Sequence, residues 1–297
     1  MCPKKRTYVM LSPALRRQLR QFSIRSPRSF HGAFKGNRRS LDRGVGIEFT
    51  DYRPYEIGDD LRDVDWNVYA RSDRLFLKQF NADKNLQISV LVDNSRSMDF
   101  GNPTKLNAAK QISAGLSSIA LANFDLIAIY TLSDQLRQIF SFIAGDRSFH
   151  KVETALSSIE IGKTTDLNTN VRRFASLNRK SGIVFLISDF LDPSSYKNSL
   201  KYLVSRNFEV YVIHVISEEE LNPQFSGDLR LEDVETGRTK EITVTDQVME
   251  DYKKRFSDFC YQFAQFCLNR GITYIRCHNQ NTMDRFFLND LRQVGVI

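Results

Sequence analysis

Three strand-length runs limit what this chain can fold into: 86–92 (L-Q-I-S-V-L-V), 182–188 (G-I-V-F-L-I-S) and 209–216 (E-V-Y-V-I-H-V-I). Each is rich in apolar and β-branched residues at consecutive positions, so both faces of the strand need cover. Helical patterns separate them. Residues 105–122 form a helix with Ala108, Ala109, Ala114 and Gly115 available for close packing on a sheet. Residues 147–159 place Phe149, Val152, Ala155 and Leu156 on one side, and further helices are read to Leu177 and over 196–205, 248–269 and 283–294. Residues 124–132 and 272–277 add strands, and 135–143 adds an edge strand. Thr236-Gly237 between two alternating runs marks a hairpin inserted at about 226–246. Strands alternating with helices predict an α/β fold with a doubly wound, mostly parallel sheet.

Two of the apolar runs stop at an aspartate. The first gives way at Asp93 to D-x-S-x-S (Asp93, Ser95, Ser97), and the other ends at Asp189. Ligands of open α/β sheets sit beyond the carboxyl ends of such strands. A carboxylate and two hydroxyls on alternate residues of a turn can converge on a hard divalent cation, most naturally Mg²⁺, with Mn²⁺ or Ca²⁺ as substitutes. The same residue types equally suit a helix N-cap. A third loop, Gly162-Lys163-Thr164-Thr165-Asp166-Leu167, opens a helix on the same side of the sheet.

The charge of +7 is uneven. Residues 1–43 hold twelve Lys and Arg against a single acid, Asp42, so the remainder is net acidic. This basic arm has a partly amphipathic stretch: Leu15, Leu19 and Phe22 lie on one side, Arg16, Arg17 and Arg20 on the other. It suits either phosphate contact, in nucleic acid or an anionic membrane surface, or packing on its own acidic body. Residues 44–84 are dense in Arg, Asp and aromatics. They read as a block packing on the main domain, pinned by ion pairs and anchored by Trp66, the only tryptophan. Residues 85–297 make the main domain.

No apolar run reaches the length of a membrane span, and no signal peptide is read at the start. Cys2, Cys260, Cys267 and Cys277 form no C-x-x-C pair and suit reduced thiols, so a cytoplasmic protein is expected. The P-loop, G-x-S-x-G and H-E-x-x-H motifs are missing from the sequence. His214 reads as a packed strand residue, and Cys260 and Cys267 as core of a long helix.

D-x-S-x-S, a loop threonine before a helix, and an aspartate ending an apolar strand together resemble the metal-ion-dependent adhesion site of von Willebrand factor type A domains. The segments G-x-G-I-E-F at 44–49, D-Y-R-x-Y-x-x-G-D-D-L-R-x-x-D-W at 51–66, A-R at 70–71 and D-V-E-T-G at 233–237 resemble a bacterial subgroup, the domain of unknown function fifty-eight family. The resemblance runs from about residue 36 to the end. It implies that Asp93, Ser95, Ser97, Thr165 and Asp189 surround the metal, with Thr164 an alternative to Thr165. A lysine in that loop, Lys163, would lower cation affinity. It also implies a non-enzymatic module that binds a partner's Glu or Asp through Mg²⁺, the partner being a MoxR-type AAA+ ATPase. The rivals are a metal-dependent phosphate or ester hydrolase, and a nucleic-acid or membrane-surface binder acting through the arm.

Overall fold

The computed structural model describes residues 10–26, 48–56, 59, 61, 64–81, 85–162, 166–191, 196–224, 227–232 and 239–297. The chain forms two compact units. One is His31–Asn85; the other joins Met1–Phe30 to Leu86–Ile297. The boundaries expected at 43 and 84 therefore shift, because part of the basic arm belongs to the main unit.

That part begins with α1 (Pro13–Leu19). Ser12 caps it, its Oγ accepting from the Leu15 N–H at 3.1 Å, and Pro13 takes the first helical position, where no donor is lost. Leu15 and Leu19 are buried in the main core. Asn123 Nδ2 donates to the Phe22 carbonyl at 2.7 Å, and the Arg25 N–H donates to the Val296 carbonyl at 2.9 Å. Of the two readings of the arm, packing on the chain's own body holds for residues 10–26. The basic residues 1–9 and 27–43 lie outside the described residues.

The smaller unit pairs β1 (Glu48–Pro54) antiparallel with β2 (Phe76–Asn81) and carries α2 (Trp66–Ser72) between them. Asp65 organises it. Its Oδ1 accepts from the Asn67 N–H at 2.9 Å as the helix cap, while its Oδ2 accepts from Tyr52 Oη at 2.9 Å. Arg53 pairs with Asp59 at 2.7 Å, as ion pairing of the block predicts. Trp66 is not the anchor. It opens α2 and stands 57% exposed, with its ring edge-on to Tyr69, while Val64 and Leu77 are the buried apolar residues among those described in this unit. No described residue of α2 is buried.

The larger unit is built on a six-stranded sheet. In chain order it contains β3 (Gln87–Asp93), α3 (Lys105–Ala122), β4 (Leu126–Leu132), β5 (Leu136–Ile143), α4 (Phe149–Ser157), α5 (Leu167–Leu177), β6 (Ile183–Ser188), α6 (Tyr196–Ser205) and β7 (Glu209–Ile216). There follow α7 (Glu218–Leu221), β8 (Gly227–Glu232), β9 (Thr239–Val244), α8 (Asp246–Leu268), β10 (Thr273–His278) and α9 (Met283–Arg285). The sheet order is β10-β7-β6-β3-β4-β5; every neighbouring pair is parallel except β4 with the edge strand β5. β8 and β9 form the expected separate hairpin.

Alternate strand residues feed two cores, as a doubly wound sheet requires. Ile88, Val90, Phe185, Ile187 and Ile213 point to α1, α3 and α4; Leu91, Val184, Leu186 and Val212 point to α5, α6 and α8. The small residues of α3 serve as expected. A Cβ on Gly115 would lie 2.1 Å from the Phe287 ring, so only glycine admits that contact. The closing helix runs from 283 to 293, close to the expected span, but its middle, Phe286–Leu291, is π-helical. The wider turn lets the adjacent Phe286 and Phe287 both reach the core, where each is fully buried. Cys260, Cys267 and Cys277 are buried free thiols. Among the described residues no helix is long and apolar enough to cross a membrane.

The core role of α1 is testable. Leu19→Ala removes a fully buried side chain and should cost about 2–5 kcal/mol in urea unfolding. A loss below about 0.5 kcal/mol would mean that the helix is an appendage.

Candidate metal centre

The winding of the sheet reverses between β3 and β6. From β3 the chain moves outward through α3 to β4, and after β5 it returns to β6 on the other side. The crevice at such a switch point, beyond the carboxyl ends, is where doubly wound folds hold ligands. Asp93 ends β3 and Asp189 follows β6 directly, so both aspartates stand at that crevice.

Asp93 is 3% exposed. Its Oδ1 accepts from the Ser95 N–H at 2.9 Å, folding the D-x-S-x-S turn back on itself, and its Oδ2 accepts from Ser188 Oγ at 2.6 Å. The Ser95 and Ser97 hydroxyl oxygens lie 3.0 Å apart. Burial and the nearby charge of Asp189 push the Asp93 carboxyl up to about 6, against the opposing effect of the Ser188 and Ser95 hydrogen bonds. Asp189 is also 3% exposed. Its Oδ1 accepts from the Leu191 N–H at 3.3 Å and its Oδ2 from Lys105 Nζ at 2.7 Å. The next residue, Phe190, holds φ at +53°, a conformation costly for an aromatic residue. Its buried ring packs against Phe263 at 4.8 Å between centroids, and its N–H reaches Ser188 Oγ at 2.9 Å. These contacts hold the turn that presents Asp189.

Thr165, Thr164 and Lys163 lie outside the described residues. Both flanks of their loop are tied to the β3 and β4 ends. The Gly162 N–H donates to the Asn94 carbonyl at 2.7 Å, and Asn94 Nδ2 donates to the Glu160 carbonyl at 2.8 Å. On the other flank Asp166 caps α5, and Asn170 Nδ2 donates to the Ser133 carbonyl at 2.7 Å.

Among the described residues no group of three or more His, Cys, Asp and Glu could hold a metal. The donors at the switch point are instead two carboxylates and two hydroxyls, all hard oxygens of the kind Mg²⁺ accepts. A cation between like charges would also remove the repulsion that raises Asp93. This donor set fits the metal that the resemblance implies.

Lys105, Ser188 and Glu220 also belong to this end of the sheet, and sequence reading passed over them. Lys105 opens α3 and is fully buried; its ammonium bonds Asp189 and Glu220. A signal for it existed: a cation at a helix N-terminus opposes the helix dipole, so something else must hold it there. Gly101, with φ +88°, brings the preceding loop down to the β7 and β10 ends, where a Cβ would lie 2.5 Å from Asn279 Nδ2. His214 is packed as expected. It is 1% exposed, its Nδ1 lies 2.7 Å from Tyr274 Oη, and burial pushes its imidazole down to about 3.

Residues 51–258 match the model of a family described as protein of unknown function DUF58. The chain belongs to this family. Among similar proteins, the uncharacterized protein Rv1480 of Mycobacterium tuberculosis (strain ATCC 25618 / H37Rv) is 25% identical over 247 residues, 82% of this chain and 78% of that protein. The uncharacterized protein MAV169 of Mycobacterium avium is 32% identical over 111 residues, 35% of this chain and 65% of that one. Solved structures with a similar fold include the conserved hypothetical protein BatB from Bacteroides thetaiotaomicron, 14% identical with a TM-score of 0.45, covering 71% of this chain and 99% of BatB. A von Willebrand factor type A protein from Catenulispora acidiphila is 17% identical with a TM-score of 0.37, covering 48% of this chain and 36% of that one. The parallel sheet with its antiparallel edge strand makes this DUF58 protein a von Willebrand factor A-like, Rossmann-type fold.

The raised Asp93 carboxyl gives a pH signature. In the metal-free protein it keeps its proton up to about pH 6, whereas the unfolded chain loses it near 3.8, so this group lowers stability as pH rises through that window. Asp93→Asn should therefore raise the metal-free Tm by roughly 2–8 °C at pH 7.5 and by less at pH 5. If Mg²⁺ binds at Asp93, the thermal shift it gives the wild type should grow over the same interval, because cation and proton would compete. A Mg²⁺ shift unchanged between pH 5 and 7.5 would place the ion away from Asp93.

Proposed function

We propose that this protein is a non-enzymatic interaction module that binds an acidic side chain of a partner protein through Mg²⁺. Asp93, Ser95, Ser97, Thr165 and Asp189 would hold the ion. The observation that carries the reading is the meeting of two buried aspartates and two adjacent hydroxyls at the switch point of the sheet. Thr165 joins the set through the resemblance and through the anchoring of its loop's flanks to Asn94 and Ser133. When bound, Mg²⁺ supplies a concentrated positive charge able to accept one more oxygen ligand. The chain's residues orient that charge. The Asp93–Ser95 turn sets the hydroxyls and the Phe190 turn sets Asp189. Phe100 and Leu191, both exposed close in sequence to the aspartate turns, offer apolar contact around the polar centre.

Binding suits these residues better than hydrolysis. His214 is buried against Tyr274, and burial lowers its basicity so far that it is poorly suited to take a proton as a general base. The partner favoured on the family resemblance is a MoxR-type AAA+ ATPase, with the module serving assembly or activation of other proteins.

A pull-down from native lysate tests the reading, using wild type and Asp93→Ala, each with Mg²⁺ or with EDTA. A partner retained by wild type in Mg²⁺ and lost in the other three arms is the expected result, with circular dichroism confirming an intact fold. Retention of the same partner under both chelation and mutation would overturn the metal bridge.

A further inference from the structure

Lys105 is a large side chain at 0% exposure, standing at the first position of α3, where the helix dipole opposes a cation. It is held by two carboxylates from distant parts of the chain. Its Nζ donates to Asp189 Oδ2 at 2.7 Å and to Glu220 Oε1. Glu220 is fixed independently: its Oε2 accepts from the Ser217 N–H at 2.8 Å, and Ser217 Oγ accepts from the Glu220 N–H in return. The ammonium thus lies between one carboxylate proposed for the metal and another that belongs to the β7–α7 turn.

We infer that Lys105 is a tethered counter-cation that competes with the metal for Asp189 and so sets the cation affinity of the centre. The inference rests on the reading that the centre takes Mg²⁺. Asp189 has two oxygens. One accepts a backbone N–H and the other already faces a full positive charge, so an ion approaching Asp189 meets an occupied oxygen and a like charge. Removing the ammonium altogether would strand buried carboxylates. Glu220 avoids this, because Lys105 can lean toward it when Asp189 turns to the ion. Lys163, two residues before Thr165, lies outside the described residues; Lys105, 84 residues from its aspartate partner, reaches the aspartate.

Direct titration of the full chain with Mn²⁺, following free Mn²⁺ by electron paramagnetic resonance, tests the inference. The informative variant is Lys105→Met with Glu220→Gln. It removes one charge of each sign, so the local net charge is that of the wild type, and Gln keeps the α7 cap. Melting curves in metal-free buffer check that it folds. The double variant should bind Mn²⁺ at least fivefold more tightly than wild type. Glu220→Gln alone should bind several-fold more weakly, because the ammonium then has Asp189 as its one carboxylate partner. Adding Asp93→Ala should abolish binding in every background. Equal or weaker affinity in the double variant, with wild type still binding, overturns the role of Lys105 and leaves the metal centre standing. Binding by the double variant alone supports the competition and rejects a metal bridge in the wild type. Binding by neither overturns both.

Discussion

The parallel pairing of β3 with β6, from Ile88↔Ile183 to Val92↔Ile187, is the constraint on which the molecule turns. These two strands are neighbours in the sheet but are separated in sequence by three helices and two strands. Because the connections leave in opposite directions, no helix covers the gap at their carboxyl ends. Apolar side chains fill both faces of the strands as far as Val92 and Ile187, and the chain then has to become polar within one or two residues. Asp93, Ser188 and Asp189 are what it uses. The ligand crevice and the core are therefore products of the same pairing, one beginning where the other stops.

Burying charge at such a place is costly unless the charges answer one another. Here the solution is a chain of partners: Ser188 to Asp93, Lys105 to Asp189, and Lys105 again to Glu220. Burial alone would lower the Lys105 ammonium, but Asp189 and Glu220 outweigh it and hold it above its usual range. Each link joins elements far apart in sequence, so the turn after β6, the start of α3 and the turn after β7 depend on one another. The left-handed Phe190 backbone persists because the packing of its ring leaves it no alternative.

Much of this was legible in the chain because it is local. The bounds of α3, α6 and β7 coincide with those read from apolar runs and small-residue patterns, and the two aspartates were visible as the points where such runs stop. What escaped depends on long-range company. The stripe of Leu15 and Leu19 was apparent, but no local pattern says that the sheet's helices cover it. Trp66 is a large apolar residue, yet size alone does not bury it: it stands on a helix none of whose residues is buried. Lys105 looked like an ordinary helix residue until its partners at 189 and 220 were brought beside it. The π turn at Phe286 answers a packing demand that helical periodicity does not encode.

The hydrogen bond from Arg25 to Val296 has a consequence for how the protein is made. Because one unit joins Met1–Phe30 to Leu86–Ile297, a ribosome that has finished α1 has yet to make any of the sheet against which it packs. At about 5–20 residues per second, roughly 15–50 s pass between the emergence of Arg25 and that of Val296. Through that interval Leu15, Leu19 and Phe22 sit on a short basic amphipathic segment without its final cover. The residues 31–85 that intervene belong to the other unit. The order of synthesis and the order of assembly therefore differ: α1 is made before every element of the sheet unit against which it packs.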